Sequence, residues 1–158
     1  MAVLGRATGQ RRSDLVRMRP QDRRDGGIDL LVGKRRDKPH WVPLTSVFAA
    51  EIDGWAVPVM TPFLLSPAGH RYTGDHLNSR WNRWRASAAA EPIRGVELTI
   101  HGLRATAVVD RRLAGLNPQE IAAQLCMSLP MVMRYSRFAD QEALARAGMA
   151  RLEERREN

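Results

Sequence analysis

The second half of the chain is cut into short helices by its own punctuation. Thr99 is placed to cap a helix over 100–114, and Gly115 supplies the residue that follows its end. Asn117-Pro118-Gln119-Glu120 then combines a capping side chain, a proline at the first helical position and a glutamate at the third, which starts a helix running to about Cys126. Ser128 opens another through Tyr135. Asp140 opens a last one, rich in Ala, Leu, Arg and Glu, reaching about Glu154. Punctuation this dense makes the second half plainly helical.

The first half is mixed. Ser13 is expected to cap a short helix over Asp14–Met18, stopped by Pro20. The turn Asp25-Gly26-Gly27 leads into Ile28-Asp29-Leu30-Leu31-Val32, an apolar run of strand length. The charged stretch Lys34 to Pro39 reverses the chain, and His40-Trp41-Val42-Pro43-Leu44 reads as the returning strand of a hairpin with a basic tip. Thr45–Ala56 reads as a helix with Val47, Phe48 and Ile52 on one side, Pro62–Leu65 as extended chain, and Asp75 to about Ala90 as a helix carrying Leu77, Trp81 and Trp84. The two tryptophans read as core or groove anchors. The fold class is mainly α with a small antiparallel β-hairpin, an α+β arrangement.

The length of 158 residues suits one domain over 1–158. A balance of 25 Lys+Arg against 17 Asp+Glu gives +8, spread over Arg11–Arg12, Lys34–Arg36, Arg80–Arg85 and Arg111–Arg112. A folded basic surface of that kind suits a polyanion, since each neutralised phosphate releases counterions. The lone Cys126 excludes an internal disulfide framework and a multi-cysteine zinc site. No apolar run approaches the roughly 20 residues needed to span a bilayer. A cytoplasmic, nucleoid-associated protein with no membrane partner is expected.

The informative chemistry lies in His101-Gly102-Leu103-Arg104 and in Arg134-Tyr135 downstream. His101 and Arg104, three apart, share one helix face. They offer an imidazole for proton transfer and a planar fork for two phosphate oxygens. Clustered carboxylates suited to two hard cations are not evident, so metal-dependent nuclease action is not expected, and no cofactor or metal is expected.

These residues fall into a larger pattern. Thr8-Gly9-Gln10-Arg11-Arg12-Ser13-Asp14-Leu15 resembles the T-G-x-R-x-S-E-L signature of tyrosine recombinases and phage integrases. His101–Arg104 matches the family's H-x-L-R box, Lys38-Pro39-His40-Trp41-Val42-Pro43-Leu44 looks like its hairpin turn, and Leu125 to Arg137 resembles the segment ending in its nucleophilic tyrosine. The resemblance covers nearly the whole chain in the family's order. It implies the catalytic-domain fold of that family, double-stranded DNA as partner, and metal-free strand exchange through a 3′-phosphotyrosyl link, in a protein of a phage-like mobile element. It assigns Arg11 and Arg104 to a phosphate clamp, His101 to phosphate donation or acid/base work, and Tyr135 to nucleophilic attack. Asp14 takes the acidic position of the first box and orients neighbouring groups. Lys34 is the candidate for the hairpin acid, with Arg35 also compatible with the spacing from Pro43.

Two departures stand beside the resemblance. Counting back from Tyr135, the family's Gly-His (or Gly-Trp) pair falls on Leu125 and Cys126, which replaces a hydrogen-bonding histidine by a thiol. The simpler reading of Cys126 is a small buried residue at a helix end. Only Met1 to Ala7 precede the first box, so most of the helix that leads into it is expected to be missing, with Gly5 and Arg6 where apolar helix belongs. The alternative function is therefore a cleavage-deficient, truncated relative that acts as a DNA-binding or regulatory module. The terminal helix over 140–155 either docks in trans on a second copy or a full-length recombinase, or folds onto its own domain.

Overall fold

The computed structural model describes residues 1–32, 38–87, 98–137, 139 and 141–157. The expected basic hairpin tip, with Lys34 and Arg35, lies outside the described residues, as do 88–97 and Asp140.

The chain opens with helix α1 (Ala2–Thr8) and the single turn α2 (Arg12–Leu15). A three-stranded antiparallel sheet follows, β1 (Arg23–Arg24), β2 (Gly27–Val32) and β3 (Lys38–Pro43), in sequential order. Asp25 and Gly26 both take positive φ, as a two-residue hairpin turn demands, and Arg24 pairs Gly27 across it. Helices α3 (Ser46–Asp53), α4 (Gly74–Arg85), α5 (Ile100–Leu113), α6 (Pro118–Leu125), α7 (Leu129–Ser136) and α8 (Gln141–Glu157) complete the described elements. Thr99 caps α5 and Asn117 with Glu120 forms the capping box of α6, as expected, and Thr45 and Thr73 cap α3 and α4 in the same way.

Four expectations need correcting. The helix before the first box is present: α1 makes two turns despite Gly5, because that glycine lets α5 close in. A Cβ there would lie 2.8 Å from the Leu103 Cδ1. Arg6 is held by a paired bond to Asp110 of α5. Ser13 is not the cap of α2, which starts two residues earlier than expected with Arg11 in the cap position and ends at Leu15. Val47 points to solvent at 75 % exposure, so only Ile52 and half-buried Phe48 face inward on α3. Finally α4 ends at Arg85, where the Ser87 hydroxyl turns back to donate to the Trp84 carbonyl.

Burial divides into two apolar clusters. Leu4, Leu15, Met18, Ile28, Val42, Ile52, Phe63, Leu64, Leu77, Trp81 and Ile100 form the first. Ala107, Val108, Ile121, Leu125, Met127, Val132 and Tyr135 form the second. Helix α5 belongs to both, its first residue anchored in one and its middle in the other. The stretch between, His101 to Arg104, lies on the seam.

Gly27, on the central strand and paired on both sides, shows how tightly the sheet is built. A Cβ there would meet the Trp41 ring at 2.4 Å and the Val42 carbonyl at 2.6 Å. The Trp41 ring is itself fixed by its N–H donating to the Arg24 carbonyl. We expect Gly27→Ala to destabilise the fold by about 1–3 kcal/mol, as overpacking does, measured by urea unfolding. An unchanged midpoint would mean that the ring moves aside without cost.

Candidate functional site

Thr8 is fully buried, and its hydroxyl donates to the Leu4 carbonyl, closing α1. Gly9 then takes the left-handed conformation at φ 61°, where a side chain would press on Ala107 and Leu125. The chain turns sharply and delivers Arg11 to the surface. Among the described residues Arg11 makes no side-chain hydrogen bond or ion pair, whereas its neighbour Arg12 is tied to Asp75 of α4 at 2.9 Å.

Arg104 comes from the opposite direction. It lies one turn into α5, only 4 % exposed, and its guanidinium donates to the Gly9 carbonyl. Desolvation lowers its pKa, and the charge of Arg11 adds to that. Tyr135, as neighbouring charge and hydrogen-bond partner, and Asp14 work against them. Guanidinium stays protonated throughout. Asp14, buried at 7 % exposure, is the carboxylate whose charge acts on Arg104.

Tyr135 closes the constellation. Helix α7 buries Val132 and Tyr135 in the second cluster, yet the phenol oxygen reaches the seam and stands 2.7 Å from His101 Nε2. Burial holds the imidazole below its usual pKa, reinforced by the charges of Arg104, Arg134 and Arg11. A neutral imidazole presents a lone pair, so the Tyr135 O–H donates to Nε2. A cleft of about 400 Å³ opens beside them, lined by Arg11, Ser13, Asn78, Thr99 and His101 among others.

The structure therefore brings Arg11, Asp14, His101, Arg104 and Tyr135 together, from three separate segments. It does not describe Lys34 or Arg35. Cys126 stands at a helix end as expected, but it is not the buried residue expected there. It is exposed, not buried, and it is itself the left-handed residue after α6, at φ 49° and ψ 52°, while Leu125 is the last, fully buried residue of the helix. Its thiol makes no hydrogen bond among the described residues. The sequence reading named Arg134 beside Tyr135 without giving it a role, and its charge acts on His101. Its adjacency to Tyr135 was the available signal.

Among the described residues no cluster of His, Cys, Asp and Glu could hold a metal ion, and no helix is long and apolar enough to cross a membrane.

No family model and no curated protein matches the chain by sequence. Solved structures do. The crystal structure of XerA recombinase is similar with a TM-score of 0.74 at 16% identity, over 94% of this chain and 55% of that one. The Tn1549 transposon integrase in complex with circular intermediate DNA gives 0.67 at 20%, over 96% and 58%. A lambda integrase dimer bound to a COC′ core site gives 0.64 at 18%, over 85% and 50%. The chain spans a little over half the length of the first two and half of the third, and it has the tyrosine recombinase catalytic-domain fold.

The environment of His101 sets a measurable expectation. In an NMR pH titration its ring should titrate below an unperturbed histidine peptide, and so remain neutral and accepting further into acid. Arg134→Gln removes one repelling cation and should move the midpoint up toward the ordinary value. A midpoint at or above that value in the wild type would contradict the charge arrangement.

Proposed function

We propose that this chain is a catalytic domain that cuts and rejoins double-stranded DNA through a tyrosyl ester. The observation that carries the reading is the Tyr135 hydroxyl, 2.7 Å from His101 Nε2 and beside the Arg104 guanidinium, with Arg11 close by. Each piece has a chemical use. His101, neutral, takes the phenolic proton as the Tyr135 oxygen attacks the scissile phosphorus. Arg11 and Arg104 hold the non-bridging oxygens on which charge accumulates. The new Tyr135 O–P bond replaces the bond to the 5′ oxygen, which leaves with a proton. The resemblance gives that donation to Lys34. A free 5′-hydroxyl, from the same or another duplex, reverses the steps, and the phosphodiester energy is retained. The net charge of +8 supplies the attraction to the duplex.

The C-terminal helix fits a role in assembly. From 145 to 155 every side chain of α8 except the half-buried Gly148 is exposed, and Met149 and Leu152 are each 55 % exposed. Docking on a second copy or on a full-length recombinase would cover them. The protein is then soluble and DNA-associated.

A second reading is favoured by Cys126. A thiol is a weak hydrogen-bond donor where this family places histidine or tryptophan, and a domain without that donor binds DNA yet cleaves slowly or not at all. It then serves as a regulatory or competing module.

Nicked suicide duplexes with randomised flanks, resolved on a denaturing gel, separate the two. We expect a protein–DNA adduct with the wild type and none with Tyr135→Phe, while Arg104→Ala slows its formation by about 10²–10³-fold. Adduct in the Tyr135→Phe variant would overturn the tyrosyl mechanism. DNA retention without adduct in the wild type, with adduct restored by Cys126→His, selects the second reading.

A further inference from the structure

The residue between Gly9 and Arg11 has no place in the chemistry above, yet it is one of four buried polar or charged residues among those described. Gln10 is 3 % exposed. Its Nε2 donates twice, to the Thr8 carbonyl at 3.0 Å and to the Leu125 carbonyl at 2.9 Å, while its backbone N–H meets the Thr8 hydroxyl at 3.4 Å. The first acceptor belongs to its own loop. The second lies 115 residues away.

Leu125 is where α6 ends, and a helix leaves its last carbonyls without intrahelical partners. Helix propensity does not choose who satisfies them, and here the partner is a side chain adjacent to Arg11. The contact is apolar as well as polar, since a Cβ added to Gly9 would meet both Leu125 methyls at 3.2 Å. Immediately beyond Leu125 the chain takes its left-handed step at Cys126. The Met127 N–H returns to the Ala122 carbonyl, and α7 leads to Tyr135. The Gln10 amide thus ties the loop that carries Arg11 directly to the turn that sets the position of Tyr135.

We propose that Gln10 is a positioning residue whose amide fixes the α6–α7 turn, and with it the Tyr135 oxygen, at working distance from the Arg11 guanidinium. The proposal rests on the tyrosyl reading given above. Gln10 touches no reacting atom and acts through the two segments it joins. Displacements of about 1 Å in such a site cost about 10²-fold in rate.

The test uses the full chain and Gln10→Met, which keeps the length and shape of the side chain and removes both N–H donors. Gln10→Asn is the milder variant, because it keeps an amide beside Thr8 but draws it back from Leu125. Gly27→Ala, in the sheet, serves as the control for general destabilisation. At a temperature where all are folded by circular dichroism, single-turnover adduct formation should fall about 10²-fold in Gln10→Met and less in Gln10→Asn. DNA affinity by fluorescence anisotropy should stay within about twofold, and Gly27→Ala should leave the rate unchanged. An unchanged rate in Gln10→Met, or a rate that falls only as far as in Gly27→Ala, overturns the proposal. Hydrogen exchange of the protein without DNA reads the same tie independently of cleavage. Amides from Met127 to Tyr135 should exchange faster in Gln10→Met, with those of α1 and α5 unchanged. If the wild type forms no adduct the tyrosyl reading fails by itself. Exchange confined to the turn then still supports the tie, and exchange that is unchanged or raised throughout refutes it. Should Gln10→Met not fold, the same two measurements on Gln10→Asn decide.

Discussion

A guanidinium withdrawn from water must be satisfied from within the protein, and most of this structure is arranged around one such group. Arg104 is 4 % exposed and cannot shed its proton. Its neighbours are the Gly9 carbonyl, the Tyr135 oxygen and the Asp14 carboxylate, drawn from three places on the chain. Each had to be brought there by packing. Gly5 lets α1 close on α5, Gly9 turns the chain away from Leu125, and the apolar face of α7 seats Tyr135. Charge, not apolar contact, is what these packings have in common.

The same cations also govern the imidazole. His101 is desolvated and faces three guanidinium groups, all of which resist its protonation. Grouping like charges is unfavourable for the fold, and Asp14 offsets only part of it. The arrangement becomes intelligible when the group has two uses, gripping a phosphate and keeping a nearby base neutral. One carboxylate too many would weaken both.

What the sequence disclosed followed how local each signal is. Caps, the Asn117–Glu120 box and the spacing of His101 and Arg104 are written within a few residues, and they carried through to α5, α6 and the seam. Helix α1 was not legible, since seven residues with a central glycine carry no helical preference of their own, and only contact with Leu103 and Asp110 gives them one. Val47 misled because its spacing suits an inward face whose neighbours leave no partner for it. The left-handed step at Cys126 was not legible, because a conformation that favours glycine is held there by a residue with a side chain. The tie from Gln10 to Leu125 joins positions 115 apart, and nothing local announces it. Lys34 and Arg35 lie beyond the described residues, so the hairpin's part in the chemistry rests on sequence.

The position of the seam has a mechanical consequence. Arg11 stands in the chain between Leu4 and Leu15 of the first apolar cluster, while Tyr135 is rooted in the second. A nucleic acid strand gripped by one and esterified to the other would rivet the two halves of the core through its own backbone. Any tension along that strand would then be borne by α5, which contributes to both clusters, and by the bond from Gln10 to the Leu125 carbonyl.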